Sequence, residues 1–234
     1  MSPRTFFRLP LWHPFTFALV GPLTLILASA GCNKPADTPT TTSADPKGPA
    51  SVSATPSKAV DRKHPIVRIE TNLGTISVRL DAEKSPGTVR NFLNYVDEGY
   101  YKNTIIHFVD ADKMIMGGGY SADHQLKTPH SEQRNEAHNG LKNLRGTIAM
   151  ARNPALIDSA NSQFFINLQD APQRDHSGDT PDKYGYCVFG QVTEGLEVAE
   201  KISRTPTADM SSKSEDLAAT PKTPVVISSI QRVM

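Results

Sequence analysis

The sequence predicts a mainly β fold, a closed antiparallel β-barrel with α-helices over its open ends. From residue 64 onward, short apolar or alternating segments recur and are separated by turn residues, as the strands of such folds are. Only two segments have the periodicity of a helix, and strands do not alternate regularly with helices. A doubly wound parallel sheet would need that alternation, so an antiparallel barrel explains the pattern better.

The first two strands are predicted to form a hairpin. IVRIET (66–71) and TISVRL (75–80) alternate apolar and polar residues, which is the period of half-buried strands. The residues between them, NLG (72–74), are typical of a tight turn. We therefore expect the two strands to pair at the start of the folded domain.

The first helix is predicted in the segment SPGTVRNFLNYVDEGY (85–100). Ser85 suits the N-cap, Pro86 the first helical position and Gly99 the C-terminal stop. The pattern predicts a short helix that packs one apolar face on the sheet. The residues of this face, spaced i, i+3, i+4 and i+7, are Val89, Phe92, Leu93 and Val96.

The rest of the domain contains further predicted strands and a second helix. Thr193 is predicted to cap a helix in EGLEVAEKI (194–202), and long polar loops span 120–145 and 169–185. The further strands are TIIHFV (104–109), KMIM (113–116), GTIAMA (146–151), SQFFINL (162–168), YCVFGQV (186–192) and TPVVISSIQRV (223–233).

Three consecutive glycines, at positions 117–119, follow the predicted strand KMIM. Such a run indicates that something approaches the backbone closely or that the chain turns sharply there. A phosphate-binding loop is excluded, because neither a Lys-Ser/Thr pair nor the start of a helix follows.

Composition excludes several classes of function. The 234 residues carry 25 Lys and Arg against 24 Asp and Glu, with no basic cluster that contains aromatic residues, so we expect no nucleic-acid partner. The two cysteines, Cys32 and Cys187, lie in different contexts, and a disulfide framework is not expected. The histidines of the polar loops lack ligand spacing, so no metal is expected either.

Residues 1–32 have the pattern of an export signal. Arg4 and Arg8 precede the apolar run FTFALVGPLTLILASA (15–30), as the basic region precedes the hydrophobic region of a signal peptide. A retained membrane anchor is an alternative, although the run is short for a spanning helix.

The end of this signal fits two processing routes. The sequence Ala-Ser-Ala (28–30) is a site for ordinary cleavage, which would leave a secreted protein with an incidental cysteine. The sequence Ala-Gly-Cys (30–32) resembles a bacterial lipobox, in which Cys32 becomes the lipidated first residue, although Ser29 stands where Leu is usual. The lipobox predicts attachment to a membrane through Cys32.

Residues 33–63 are predicted to be a flexible tether. Pro, Thr, Ser and Ala dominate the segment 33–60, which contains no aromatic residue. Such a segment cannot bury enough apolar surface to offset the entropy of ordering it. A tether after a lipidated Cys32 would hold the folded domain, residues 64–234, off a membrane. We therefore expect an exported protein of the cell envelope or periplasm, anchored through that cysteine.

Four segments of the folded domain form a recognisable set. They are SPGTVRNFLNYVDEGYY (85–101), NEAHNGLKNLRGTIAMAR (135–152), NSQFFINL (161–168) and YGYCVFGQV (184–192). These segments resemble the cyclophilins, which are peptidyl-prolyl cis-trans isomerases. They occur in the family's order and spacing across about residues 65–233, and the compact bacterial type is the most similar. The resemblance implies an eight-stranded antiparallel barrel capped by two α-helices, with a peptide groove on its outer face.

The resemblance also implies the chemistry, which is rotation about the peptide bond before proline. That rotation has a barrier of about 18–20 kcal/mol, because amide resonance must be broken, and uncatalysed exchange takes roughly 10–100 s. The site must bind the twisted amide better than either planar form, and it needs no cofactor. We expect a monomer whose partners are proline-containing polypeptides.

The resemblance implies a catalytic set and a substrate-binding set of residues. His107, Gln163 and Phe165 match the catalytic set, although His107 lies between apolar neighbours on a strand and would equally be a structural histidine. The substrate-binding positions are Phe108, Lys113, Met114, Met116, Ala151, Arg152, Gln173, Arg174 and Tyr186.

Some of these positions depart from the family. Phe108 stands at the catalytic Arg position, Lys113 at a pocket aromatic and Met116 at a groove Gln, while Gln173 and Arg174 stand where an aromatic-Leu pair is usual. The two new cations are either solvated surface charges, or one of them reaches into the groove as a substitute.

The change at Phe108 leaves more than one function open. Phenylalanine cannot donate a hydrogen bond, and losing such a contact to a transition state commonly costs about 2.7–4 kcal/mol, or 10²–10³ in rate. One prediction is an isomerase that assists the folding of exported proteins. The alternative is a catalytically weak peptide-binding or holdase lipoprotein with the cyclophilin fold, and a structural envelope lipoprotein is a third.

Overall fold

The structure is a computed structural model that describes residues 61–233. The predicted export signal, Cys32 and the tether up to residue 60 lie outside the described residues. Residues 61–63, which we assigned to the tether, contact the domain, since the backbone oxygen of Lys63 accepts a hydrogen bond from the N–H of Ala82 at 2.8 Å.

Eight strands close an antiparallel barrel, as the fold class predicted. The bounds of the barrel strands are β1 Ile66–Thr71, β2 Gly74–Leu80, β3 Thr104–Asp110, β4 Met114–Ser121, β5 Thr147–Met150, β6 Phe164–Asn167, β7 Val188–Glu194 and β10 Val225–Val233. Around the barrel they follow the order β1-β10-β3-β4-β6-β5-β7-β2. A separate two-stranded sheet pairs β8, Thr207–Ala208, with β9, Thr220–Pro221.

Two α-helices accompany the barrel, α1 at Pro86–Asp97 and α2 at Leu196–Ser203. The prediction that Thr193 caps the second helix is wrong, because β7 continues through Glu194 and the N-cap is Gly195, with φ near +80°. A left-handed residue at this point turns the chain sharply from strand to helix, and glycine adopts that conformation without strain.

The N-terminus of α1 is capped by a residue that sequence reasoning missed. Ser85 occupies the N-cap, but its hydroxyl donates to the carbonyl of Val188 at 2.9 Å instead of capping the helix. The carboxylate of Glu136 accepts from the N–H groups of Gly87 and Thr88, at 3.1 and 2.8 Å. A carboxylate suits the positive end of a helix, so this contact from a distant loop performs the cap.

The predicted apolar face of α1 packs into the barrel core, as expected. Phe92 is fully buried, and the centroid of its ring lies 5.3, 5.7 and 5.2 Å from the rings of Tyr101, Phe164 and Phe189. Aromatic rings at these separations stabilise a core beyond the area that they bury. The buried residues of the helix are Thr88, Val89, Asn91, Phe92, Leu93, Tyr95 and Val96.

The chain after α2 covers the outer side of β3, which the sequence did not predict. Leu217 is buried in a small cluster with Ile105 and Tyr120. The hydroxyl of Thr220 donates to the backbone oxygen of His107 at 2.7 Å. The segment therefore shields this part of β3 from solvent. Within residues 61–233, no helix is long and apolar enough to cross a membrane.

Candidate functional site

A row of side chains crosses four neighbouring strands on the outer face of the barrel. Phe108 on β3 faces Met116 on β4, which faces Phe165 on β6, which faces Ala149 on β5. Residues directly opposite each other on adjacent strands lie on the same face of a sheet. The neighbouring Ile115 belongs to the barrel core, so the row lies outside it.

A groove of about 620 Å³ lies over this row. Phe165 is buried in its floor, and Tyr186 meets that ring edge-on at 5.6 Å between centroids. All of the predicted site residues in the folded domain line the groove except His107 and Lys113. Those that line it are Phe108, Met114, Met116, Ala151, Arg152, Gln163, Phe165, Gln173, Arg174 and Tyr186.

The glycine run is part of β4 and packs against the site residue Gln163. A Cβ atom added at Gly119 would lie 2.6 Å from Cγ of Gln163. Gly118 has φ near +86°, and a Cβ atom there would lie 2.8 Å from the ring of Tyr101. The close approach that the sequence indicated is therefore made by the protein's own side chains, and it fixes Gln163 beside the groove.

His107 lies next to the groove without lining it. The β3–β4 register shifts between Ile106 and Phe108, so a β-bulge sits at this histidine, and bulges beside sites re-aim side chains. The ring is fully buried, and its centroid lies 4.7 Å from that of the Tyr120 ring. Burial lowers the pKa of His107 to about 3. The imidazole is therefore neutral at physiological pH.

The two altered positions Phe108 and Lys113 have different surroundings. Phe108 is half-buried among the apolar residues of the groove, and its ring has no donor to offer a ligand. The resemblance places Lys113 among the groove residues, but in the structure Lys113 does not line the groove. Its side chain is exposed, and Nζ lies 3.1 Å from Oδ1 of Asp110 in the turn between β3 and β4. The ion pair with Asp110, three residues earlier in the sequence, holds Lys113 at the surface.

Two guanidinium groups line the groove. Arg152 donates from Nε to the carbonyl of Gly185 at 2.8 Å and from Nη2 to the carbonyl of Pro181 at 2.6 Å. It therefore ties together the loops that form one wall. Arg174 reaches into the groove, where Cζ lies 5.2 Å from the centroid of the Phe165 ring. Of the two new cations left open by the sequence, Arg174 is the one that enters the site.

The described residues contain no group of three or more His, Cys, Asp or Glu side chains arranged to hold a metal ion. Cys187 is free and buried in this part of the chain, and burial raises the pKa of its thiol to about 11. A thiol with so high a pKa stays protonated and is a poor nucleophile. What the groove offers a visitor is an apolar floor, the guanidinium groups of Arg152 and Arg174, the amide of Gln163 and the carboxylates of Asp182 and Asp216.

Comparison with known proteins agrees with this geometry. Residues 66–232 match the model of the family described as cyclophilin type peptidyl-prolyl cis-trans isomerase/CLD. Peptidyl-prolyl cis-trans isomerase A of Dickeya dadantii is 44% identical over 163 residues, which cover 70% of this chain and 82% of that protein. Peptidyl-prolyl cis-trans isomerase B of Escherichia coli is 43% identical over 165 residues, which cover 70% of this chain and 98% of that protein.

A solved structure has the same fold. The crystal structure of a cyclophilin type peptidyl-prolyl cis-trans isomerase from Cryptosporidium parvum superposes with a TM-score of 0.59 at 26% identity, and covers 73% of this chain and 98% of that chain. The chain therefore belongs to the cyclophilin-type peptidyl-prolyl cis-trans isomerase family. The resemblance seen in the sequence is confirmed.

Proposed function

We propose that the domain binds proline-containing segments of exported polypeptides in the groove over Phe108, Met116 and Phe165, and that it isomerises their Xaa–Pro bonds slowly. The observation that carries this proposal is the groove itself. It has an apolar floor on the outer face of a cyclophilin-type barrel, and it is lined by residues at most of the positions that the family resemblance implies.

The apolar floor supports the binding part of the proposal. Met114 and Phe165 are almost fully buried in the floor, the guanidinium of Arg174 lies over the Phe165 ring, and Tyr186 packs at the edge of that ring. A proline ring that settles there would bury apolar area at about 25 cal/mol per Å². Gln163, held by the glycine run, offers an amide to the peptide backbone.

The slow rate follows from the residue at position 108. As the amide before proline twists, its nitrogen gains a lone pair, and a donor aimed at that nitrogen stabilises the twisted form selectively. The resemblance places an Arg for this purpose where the chain has Phe108. Without that donor, the groove still strips water from the amide and holds the ring, but it lacks a contact worth about 10²–10³ in rate.

A second candidate function is a peptide-binding or holdase module with negligible catalysis. Phe108 is the observation that favours it, because an apolar side chain there adds to the binding surface while removing the donor. The two candidates share the groove and differ in rate alone.

The experiment that tests the proposed function measures both properties on the purified full-length protein. Exchange NMR on the peptide Ala-Ala-Pro-Phe reports the cis–trans rate, and titration of the same peptide reports binding. We expect weak binding and a small but measurable acceleration over the uncatalysed rate. Binding without any acceleration would support the holdase, and no preference for this peptide over Ala-Ala-Ala-Phe would refute both candidates.

We also propose that the domain is anchored to a membrane of the cell envelope through a lipidated Cys32. The Ala-Gly-Cys sequence at the end of the apolar run and the Pro/Thr/Ser/Ala-rich segment after it support this proposal. One acyl chain anchors a protein only marginally, so the modification must supply more than one.

The test of the anchor is fractionation of cells that express Cys32→Ala. We expect the variant to leave the membrane fraction for the soluble fraction, while the matched change Ser43→Ala, within the tether, has no effect. An unchanged distribution of Cys32→Ala, with a mature N-terminus at Gly31, would contradict lipidation.

A further inference from the structure

Arg174 is a charged residue that lines the groove, and the proposed slow isomerisation gives it no role. It ends the 3₁₀ turn Pro172–Arg174, at a position where the family resemblance places Leu. Its backbone is fixed, because its carbonyl accepts from the N–H of Tyr186 at 2.9 Å and from Nδ2 of Asn143 at 3.0 Å. The side chain therefore enters the groove from a rigid base.

The guanidinium of Arg174 is held in place by a buried amide. Its Nη1 donates to Oδ1 of Asn167 at 2.8 Å, and Asn167 is fully buried. The Nδ2 atom of Asn167 donates to Oγ1 of Thr147 at 2.9 Å and to Oδ1 of Asn143 at 3.2 Å. These two bonds leave Oδ1 of Asn167 to accept from the guanidinium, so the cation is positioned before any ligand arrives.

The direct contacts of the Arg174 guanidinium are with neutral groups, and Asp110 is the acid that acts on its charge from beyond salt-bridge distance. Beyond Asn167, its Nη2 lies 2.9 Å from Sδ of Met114, which is a weak acceptor, and its Cζ stacks over Phe165. Within residues 61–233, no carboxylate lies within 4.0 Å of this guanidinium. Arginine has five N–H donors and stays charged, so donors and charge remain for a ligand.

The other charged groups of the groove do not neutralise Arg174. Each of the three guanidinium nitrogens of Arg152 donates to a backbone carbonyl. Two acids also line the groove, Asp182 and Asp216, and the carboxylate of Asp216 accepts from the hydroxyl of Tyr120 at 3.0 Å. An acidic group on a ligand is attracted by Arg174 and repelled by these two carboxylates. The affinity of the ligand should therefore depend on the distance between its acidic group and the apolar floor.

We propose that the groove selects proline peptides that carry a carboxylate immediately next to the proline, and that this carboxylate pairs with Arg174. The proposal rests on the proposed function, since it needs a peptide seated on Phe165. A neutral peptide would take water from the guanidinium and replace it with nothing, which is costly for a charge. A carboxylate would instead accept charge-assisted hydrogen bonds from the free donors of Arg174. The groove would therefore favour acidic peptides and disfavour neutral ones.

The carboxylate has two chemical sources, and matched peptides separate them. One is the side chain of Glu before or after proline, compared with Gln in otherwise identical acetylated and amidated tetrapeptides such as Ala-Glu-Pro-Phe and Ala-Gln-Pro-Phe. The other is the chain end, compared in acetylated Ala-Ala-Pro with a free carboxylate or an amide. Binding to the full-length protein is measured by calorimetry at low and high salt.

We expect the wild-type protein to prefer at least one acidic peptide over its neutral match by about tenfold at low salt, and less at high salt. Arg174→Gln should abolish the preference, and Arg174→Lys should retain part of it. The matched control is Arg68→Gln, which removes one charge from the exposed face of β1, across the barrel from β6. It should leave the preference unchanged.

The outcomes distinguish this inference from the proposed function. Equal affinity for acidic and neutral peptides in the wild type, with both bound better than a proline-free peptide, would overturn the selectivity alone. A preference that survives Arg174→Gln would also overturn it, because another cation would then be responsible. Loss of any dependence on proline would overturn the proposed function, and the inference with it.

Discussion

Along strands β4, β6 and β5, successive residues lie alternately on the inner and the outer face of the barrel, and the two faces differ in how completely they are buried. On the inner face, Ile115, Ile166 and Ile148 are each at most 1% exposed and belong to one continuous core. On the outer face, Met116 and Phe165 form a floor that is open to a groove. The side chains of the inner face are surrounded by other core residues, so a change in the volume of one of them disturbs the packing of its neighbours.

This difference shows how the family fold can persist while its site changes. Phe108, Met116 and Arg174 depart from the family pattern, and all three line the groove instead of the core. Side chains at an open surface can change in size and charge at little cost in stability. Membership of the family therefore establishes the barrel, while we expect the rate and the ligand to depend on the residues of the outer face.

The largest effect should come from emptying the inner core. Phe92→Ala removes a fully buried ring that contacts three other aromatic rings, and we expect the free energy of unfolding to fall by about 3–5 kcal/mol. The matched change on the outer face, Phe108→Ala, should cost roughly 1–1.5 kcal/mol, because that ring is only half-buried. Urea unfolding measures both, and equal losses would contradict the difference between the two faces.

A pH titration of stability tests the burial of His107 beside the groove. The folded pKa of His107, about 3, lies below the ordinary value of 6.5, because burial disfavours the charged form. The unfolded chain therefore takes up this proton first, and the stability that the neutral ring contributes is lost as pH falls from about 6.5 towards 3. The difference should reach a few kcal/mol.

The titration is read by comparing urea unfolding of the wild-type protein with that of His107→Phe across this range of pH. Acidic residues titrate in both proteins, so only the difference between the two curves reports on His107. We expect the variant to lose less stability than the wild type on acidification. Parallel curves would contradict the burial of a neutral imidazole at this position.

Local patterns in the sequence predicted most of the fold. The alternation in β1 and β2 and the apolar face of α1 are set by residues close together in the chain, and both are confirmed. The cap of α1 was missed because Glu136 reaches it from a loop 48 residues beyond Thr88. The run of glycines hid the length of β4, because glycine is unfavourable in strands unless something packs closely against it.

The site could be predicted only in part because, like the cap of α1, it depends on contacts between residues far apart in the chain. The family pattern brought the apolar groove residues together correctly, since the register of four strands places them in one row. It could not distinguish Lys113 from Arg174, two cations in polar surroundings. The first is held outside by Asp110, a neighbour in sequence, while the second is drawn in by Asn167, whose position depends on the folded barrel.

The most direct test of our proposal, that this cyclophilin-type barrel carries a groove without a catalytic donor, is the isomerisation rate of Phe108→Arg beside that of the wild type. Exchange NMR on Ala-Ala-Pro-Phe measures both, with Phe108→Leu as the control that changes the ring without adding a donor. We expect a slow wild type, an increase of about tenfold in Phe108→Arg and no increase in Phe108→Leu. The gain should be partial, because Met116 and Arg174 also depart from the family. A fast wild type that Phe108→Arg leaves unchanged or slows would contradict the claim and would point to Arg174 as the working cation.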